Sequence, residues 1–146
     1  MTAVWPANSP TGVFRLVDRH EVSTIVAAAS AASIWIATVD LHTARTKADA
    51  MVALRAGLAL PDSFGDNWDA LDEVLADVDL DGHSGGFVVL DHATGFARAN
   101  PAAWDMLIAI AHTAVQRWDE WGKAFAVAAR GESAAIQLPE LDLFEP

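Results

Sequence analysis

The stretch SIWIATVD (Ser33–Asp40) is β-branched and apolar, which is typical of a strand buried in a parallel sheet. Two later runs have the same character, FVVLDH (Phe87–His92) and KAFAVAAR (Lys123–Arg130). Segments with helical periodicity separate these runs along the chain. Because buried strands that alternate with helices form parallel sheets with right-handed crossovers, the sequence predicts an α/β fold. We expect a small single domain with a three- to four-stranded, mainly parallel sheet packed by helices.

The predicted helices between these strands have apolar side chains spaced three and four residues apart. They cover residues 46–58, residues 67–78 and the stretch from Pro101 to Trp121. Before the first buried run, GVFRLVD (Gly12–Asp18) reads as a short strand and residues 21–32 as an Ala-rich helix. The order of elements is therefore that of a small α/β domain.

A chain of 146 residues, of which 53% are hydrophobic, is sufficient for one compact domain. We predict a flexible leader over residues 1–11, a domain over residues 12–131 and a C-terminal tail over residues 132–146. The uncharged run from Val22 to Val39 approaches membrane-spanning length. Its Ser, Thr and Ala content and its alternating second half favour a buried helix followed by a strand.

The formal net charge is −11, and the chain has no Cys. Without thiols, a disulfide framework and thiolate metal sites are excluded, and we expect a reducing, cytoplasmic location. Nucleic-acid binding requires a basic surface, and anionic headgroups repel an acidic one, so we expect neither nucleic acid nor membrane as a partner. The expected partner is a positively charged molecule.

The negative charge is concentrated in LPDSFGDNWDALDEVLADVDLDG (Leu60–Gly82), which has eight carboxylates and no Lys or Arg. At about 100° per residue, the apolar side chains of the predicted helix lie on one face. The opposite face has Asp66, Asp69, Asp72, Glu73 and Asp77. Like charges three or four residues apart repel each other, and no Lys in the segment offsets them. The pattern indicates either a solvated face or a surface for a basic partner.

Within this segment, LPDSFGDNWDAL (Leu60–Leu71) resembles the motif of the barstar family. That motif is Leu-Pro, an acid, two variable-to-aromatic positions, Gly, a polar residue, Asn, a bulky apolar residue and Asp-Ala-Leu. The surrounding order of elements is also similar over Ser33–Arg130, and residues 12–32 resemble an N-terminal extension of some members. The resemblance implies a barstar-like, non-enzymatic protein that inhibits a basic secreted ribonuclease or a related toxin. Such a protein serves as the immunity protein of a toxin–antitoxin pair.

By the same resemblance, the acidic loop and helix would block a basic active site and mimic RNA phosphates. Asp69 and Glu73 are expected to replace phosphates, and Asn67 to bond the partner's backbone. An exposed Phe64, together with Gly65, is expected to supply shape. The full partner-binding set is Ser63, Phe64, Gly65, Asp66, Asn67, Asp69, Asp72, Glu73 and Asp77. No catalytic residue, cofactor or metal is expected, and the unbound chain is expected to be a monomer.

A second interpretation concerns Asp40 and Asp91, which end two predicted parallel strands and lie close to His42 and His92 in sequence. Active sites of open α/β sheets lie at the carboxyl ends of the strands. The alternative is therefore a metal- or phosphate-handling α/β enzyme that uses these two carboxylates. Short Asp side chains also cap loops, which is the simpler explanation. None of the five histidines has a spacing of the HExxH type.

Overall fold

A five-stranded sheet forms the centre of the protein in the computed structural model, which describes residues 3–17 and 19–144. The strands lie in the order β2-β3-β4-β1-β5, and every neighbouring pair is parallel. The predicted α/β fold class is confirmed, and the sheet has one strand more than expected. The elements are β1 (Gly12–Leu16), α1 (Val22–Ala31), β2 (Ile34–Asp40), α2 (Lys47–Gly57), α3 (Trp68–Ala76), β3 (Gly85–Asp91), α4 (Thr94–Ala99), α5 (Pro101–Glu120), β4 (Ala124–Ala129) and β5 (Glu140–Leu141).

The sheet is covered on both faces, which explains the uninterrupted apolar sequences of its central strands. In β3, Val88 and Leu90 belong to one apolar cluster, and Phe87 and Val89 belong to the other. Helices α2, α3, α4 and α5 contribute buried side chains to the first cluster, whereas α1 contributes to the second. The acidic helix α3 is therefore packed on the more heavily covered face.

Local sequence signals fix where the long helices begin and end. Thr46 and Asp49 form a reciprocal capping box at the start of α2, with Thr46 Oγ1 accepting the Asp49 N–H at 3.1 Å. Asn100 caps α5, and Pro101 occupies its first turn. Gly122 follows the C-terminus of α5 with a φ of +78°, a conformation that glycine adopts without strain.

Residues close to both ends of the described chain, Trp5 and Leu143, belong to the apolar cluster that α1 covers. Trp5 is buried against Phe87, with ring centroids 5.1 Å apart. The predicted tail supplies β5, which pairs with β1, and it buries Leu143 in the same cluster. Trp5 lies within the predicted leader, and it is buried because an indole gains much from leaving water. The proposed domain limits themselves stay a prediction.

The uncharged run from Val22 to Val39 forms α1 followed by most of β2, as the sequence predicts. Within residues 3–17 and 19–144, none of the helices combines the length and the apolar character that a bilayer crossing demands. The short helix α4 between β3 and α5 is an element that the sequence pattern did not predict.

Candidate functional site

The loop before α3 is organised around Phe64. The sequence predicts an exposed ring here, but only 8% of this residue's surface is exposed. Its backbone N–H donates to Pro61 O at 3.0 Å, and the guanidinium carbon of Arg55 lies 6.0 Å from the ring centroid. The expectation of an exposed anchor is therefore wrong, since the ring gains more from burial in the core. Its neighbours Ser63 and Gly65 are exposed.

Asn67 shapes the junction between this loop and α3. Its Oδ1 accepts the backbone N–H of Ala70 at 2.8 Å, which caps the helix, and its Nδ2 donates to Gly65 O at 3.0 Å. The preceding residue, Asp66, has a left-handed backbone with φ of +51°, and its carboxylate pairs with Arg55. Asn67 is expected from the sequence to bond a partner, and one Nδ2 hydrogen remains for that purpose.

The apolar face of α3 is anchored on the core and on α5. Leu71 and Leu75 are buried, and Leu75 O accepts a 2.9 Å hydrogen bond from Trp118 Nε1. This bond satisfies one of the carbonyls that the last turn of a helix leaves without a donor. At the other end, Lys47 Nζ lies 5.7 Å from the ring centroid of the half-buried Trp68. These contacts hold α3 in one orientation.

Two of the predicted site carboxylates are paired with the protein's own cations. Asp66 pairs with Arg55, and Asp72 Oδ2 lies 3.2 Å from Arg117 Nη2. These pairs could not be predicted from local spacing, because the partners are 11 and 45 positions apart and meet only through tertiary packing. Each pairing reduces the negative charge that its carboxylate offers to another molecule.

The exposed carboxylates of Asp69, Glu73 and Asp77 form what we call the acidic face of α3. Within the part of the chain that the structure describes, no Lys, Arg or His nitrogen lies within 4.0 Å of these carboxylates. Asp69 and Glu73 are four residues apart, so they lie on the same side of the helix. Asp77 follows at the C-cap position. Such carboxylates can accept charge-assisted hydrogen bonds from a basic partner.

A second polar cluster lies at the carboxyl ends of β2 and β3. Asp40 and Asp91 are partners in the register of these strands, which confirms their predicted placement. Asp40 Oδ1 accepts the backbone N–H of His42 at 2.9 Å and lies 3.0 Å from His92 Nδ1. The His42 bond, followed by the His92 bond, lowers the pKa of Asp40. Asp91 instead accepts a 2.9 Å bond from Arg130 Nη1.

The cluster gives no support to the metal-dependent form of the enzyme alternative. Among the described residues, no group of three or more His, Cys, Asp or Glu side chains is arranged to hold a metal ion. Asp40 caps the loop after β2, as the simpler interpretation has it, and Asp91 holds the side chain of Arg130. Both carboxylates therefore have structural partners.

The fold and the site define a small α/β protein with an all-parallel sheet and an acidic loop and helix on its surface. The family model described as Barstar (barnase inhibitor) matches residues 35–130, and the chain belongs to the barstar family. This match contains the whole acidic segment from Leu60 to Gly82. It confirms the family resemblance carried by Leu60–Leu71.

Among solved structures, the ORC2 protein of Aeropyrum pernix, described in ADPNP-ADP complexes, is similar to this chain with a TM-score of 0.55. The sequence identity is 12%, and the alignment covers 92% of this chain and 41% of that chain. At this identity the likeness concerns the fold alone, and the chain spans less than half of the ORC2 chain. In a comparison with curated proteins, no sequence matches.

Proposed function

We propose that the protein inhibits a basic secreted ribonuclease, or a related toxin, by covering its active site with residues 63–77. Membership of a family described as barnase inhibitors supports the proposal. The observation that carries it is the acidic face of α3, whose three exposed carboxylates have no cation within 4.0 Å among the described residues. In this proposal the protein is a cytoplasmic, monomeric immunity protein rather than an enzyme.

In the proposed complex, Asp69 and Glu73 take the places of RNA phosphates. An active site that binds phosphates presents Arg and Lys side chains, and these donate charge-assisted hydrogen bonds to carboxylates. The segment from Ala56 to Ala97 has nine acids and no Lys or Arg, so its field attracts a basic partner from a distance. Salt weakens this attraction, because exposed charges are screened within about 10 Å at 0.1 M ionic strength.

The second part of the mechanism is rigid presentation of these carboxylates. The Asn67 cap fixes the start of α3, and the Trp118 bond fixes its end. The buried Phe64 holds the loop, so that Ser63 and Gly65 face solvent in a set conformation. Binding to a preorganised surface loses less conformational entropy than binding to a mobile one. The paired Asp66 and Asp72 contribute less charge than their number indicates.

The proposal is tested by titrating the protein into an RNA-cleavage assay with barnase and with other small basic ribonucleases. The test variant is the double substitution Asp69→Asn and Glu73→Gln, which removes two charges and keeps side-chain shape. The matched control is Glu21→Gln with Asp105→Asn. These two acids are exposed, Glu21 lies beside α1 and Asp105 lies on α5, so the net charge changes equally.

We expect the wild type and the control variant to inhibit at least one of these enzymes. The test variant should lose inhibition by at least about tenfold per substituted acid, because each removes a hydrogen bond to a charged group. Equal inhibition by the test and control variants would reject the acidic face as the binding surface. Failure of the wild type on every basic ribonuclease tried would reject the inhibition of ribonucleases.

A further inference from the structure

An open cavity of about 530 Å³ lies at the carboxyl ends of β1, β3 and β4, and its lining includes no residue of α3. The lining residues that carry charge or an imidazole are mostly basic. The basic side chains are Arg15, Arg45, Arg130, His42 and His92, and the two acids are Asp91 and Glu132. Because the whole chain has only nine Lys and Arg against twenty Asp and Glu, three arginines in one cavity are a marked local departure from its composition.

The position of the cavity is one where α/β proteins bind ligands. The chain leaves β1 towards α1 on one face of the sheet, and it leaves β2 and β3 towards helices on the opposite face. In open parallel sheets, the crevice outside the strand ends at such a change of side is the usual ligand site. The location therefore agrees with the charge of the lining in indicating a small-molecule site.

Most of the charges around the cavity are already paired. The pairs are Arg15–Glu140 at 2.7 Å, Arg130–Asp91 at 2.9 Å and Arg98–Glu132 at 2.5 Å. Arg45 differs, because within residues 3–17 and 19–144 no carboxylate oxygen lies within 4.0 Å of its guanidinium. The nearby Asp49 accepts from the backbone N–H of Arg45 rather than from its side chain. Arg45 therefore gives the cavity a positive charge with no carboxylate in direct contact, and the nearby Asp49 carboxylate offsets part of that charge.

The Arg45 guanidinium is also held in place. Its Nη1 donates to Ala44 O at 2.7 Å and to His42 O at 3.2 Å, which leaves Nε and Nη2 as donors for another molecule. The group lies against Gly95, where an added Cβ would come within 2.8 Å of the guanidinium carbon. Gly95 thus leaves the space that this side chain occupies. A fixed guanidinium edge with free donors matches the oxygens of a phosphate group.

We propose that this cavity binds a phosphate-bearing small molecule, with Arg45 as its main charged contact. Arg15 and Arg130 remain bonded to their carboxylates and add positive field from the cavity wall. Thr94 Oγ1 accepts the backbone N–H of Glu132 at 2.9 Å, so its hydroxyl hydrogen is available to a phosphate oxygen. This site does not depend on the inhibitor proposal, because none of its lining residues belongs to residues 63–77.

The test is calorimetric titration of the full chain with inorganic pyrophosphate, with acetate and chloride at equal ionic strength as comparison anions. Two variants remove the proposed contact in different ways. Arg45→Gln deletes the charge, and Gly95→Ala displaces the guanidinium from a helix position where alanine is favourable. Lys47→Gln is the control, because it removes one exposed positive charge close in sequence but outside the cavity lining.

We expect saturable binding of pyrophosphate by the wild type, and weakening by at least about tenfold in both test variants. The Lys47→Gln variant should bind within about twofold of the wild type. Thermal unfolding shows whether each variant is folded, and Gly95→Ala keeps the test valid if Arg45→Gln is not. Absence of saturable pyrophosphate binding, equal loss in the control, or acetate binding as tight as pyrophosphate binding would overturn the proposal.

Discussion

Arg117 on α5 donates from Nη2 to Asp72 Oδ2 on α3 across 3.2 Å, with 38% and 30% of the two side chains exposed. The next residue of α5, Trp118, donates from Nε1 to Leu75 O on α3. Two adjacent residues of α5 therefore set the position of α3. The same contact offsets the charge of one carboxylate beside the acidic face. The pair that orients α3 therefore also weakens the negative field around this helix.

The first prediction concerns the Arg117–Asp72 pair, which helps to position α3 and reduces the negative charge beside its acidic face. Arg117→Ala should release Asp72 as a free carboxylate and speed association with a basic ribonuclease at low salt, because the local field becomes more negative. The unfolding free energy should fall by less than about 1 kcal/mol, since partly exposed ion pairs contribute little. Stopped-flow association rates and urea unfolding measure the two effects.

The control for Arg117→Ala is Arg98→Ala. It removes one positive charge and breaks the exposed pair with Glu132, which lies at the rim of the cavity beyond β3 and β4. Both variants change the net charge equally, so only a local effect distinguishes them. If Arg98→Ala speeds association as much as Arg117→Ala does, net charge rather than Asp72 controls the rate.

The second prediction concerns the cap of α3. Asn67→Ala should lower the unfolding free energy by about 1 kcal/mol, because the Ala70 N–H loses its acceptor. Asn67→Ser keeps a hydroxyl acceptor at the N-cap and should retain most of that stability. Urea unfolding of the wild type and the two variants measures these differences in unfolding free energy. Equal stability of Asn67→Ala and the wild type would show that the cap contributes nothing.

Much of the fold could be predicted because the signals for it are local. The apolar runs that became β2, β3 and β4 are buried strands, and the Asn100-Pro101 pair marks the start of α5. The position of β1 between β4 and β5 could not be predicted in this way. Strand order and the burial of Trp5 depend on contacts between distant parts of the chain, for which a single sequence has no periodic signal.

In the candidate site, too, the features with local sequence signals were predictable and those that depend on distant contacts were not. The acidic helix, its apolar stripe and the Asn67 cap follow from spacing within a dozen residues, and the structure has all three. The burial of Phe64 and the pairing of Asp66 and Asp72 did not follow. The cations that pair with the two carboxylates come from α2 and α5. The number of carboxylates in a segment therefore overstates the negative charge that is left for a partner.

The third prediction concerns pH and Asp40. The backbone N–H of His42, followed by the His92 contact, holds the pKa of this carboxyl below its ordinary value of 3.8. Since the folded-state pKa is lowered, the ionised group stabilises the fold above the unfolded pKa. That contribution is lost as the pH falls through the folded pKa. Asp40→Asn should therefore be less stable than the wild type at neutral pH, with the difference shrinking in acid.

The measurement for Asp40 is the unfolding free energy of both proteins as the pH falls from about 6 through the carboxyl range. Asp62→Asn, in the exposed loop before α3, is the control for removing one carboxylate. A stability difference between Asp40→Asn and the wild type that stays constant into acid would show that the bonds to His42 and His92 do not depend on the charge. A difference that grows in acid would reverse the predicted sign.

The fourth prediction separates two roles for Phe64. As a buried ring, it should stabilise the unbound protein, so Phe64→Ala should cost about 3–5 kcal/mol of unfolding free energy. Val52→Ala, at a side chain that is 70% exposed, is the control and should change stability by less than about 0.5 kcal/mol. Urea unfolding without any partner measures both variants.

Phe64→Leu completes this test, because it keeps an apolar side chain in the core and should leave the protein folded. If the ring acts by holding the loop from within, this variant should inhibit a basic ribonuclease within about threefold of the wild type, since the loop stays supported. A large loss of inhibition with unchanged stability would place the ring in direct contact with the partner. The loop would then have to open on binding, because the ring is buried in the unbound protein.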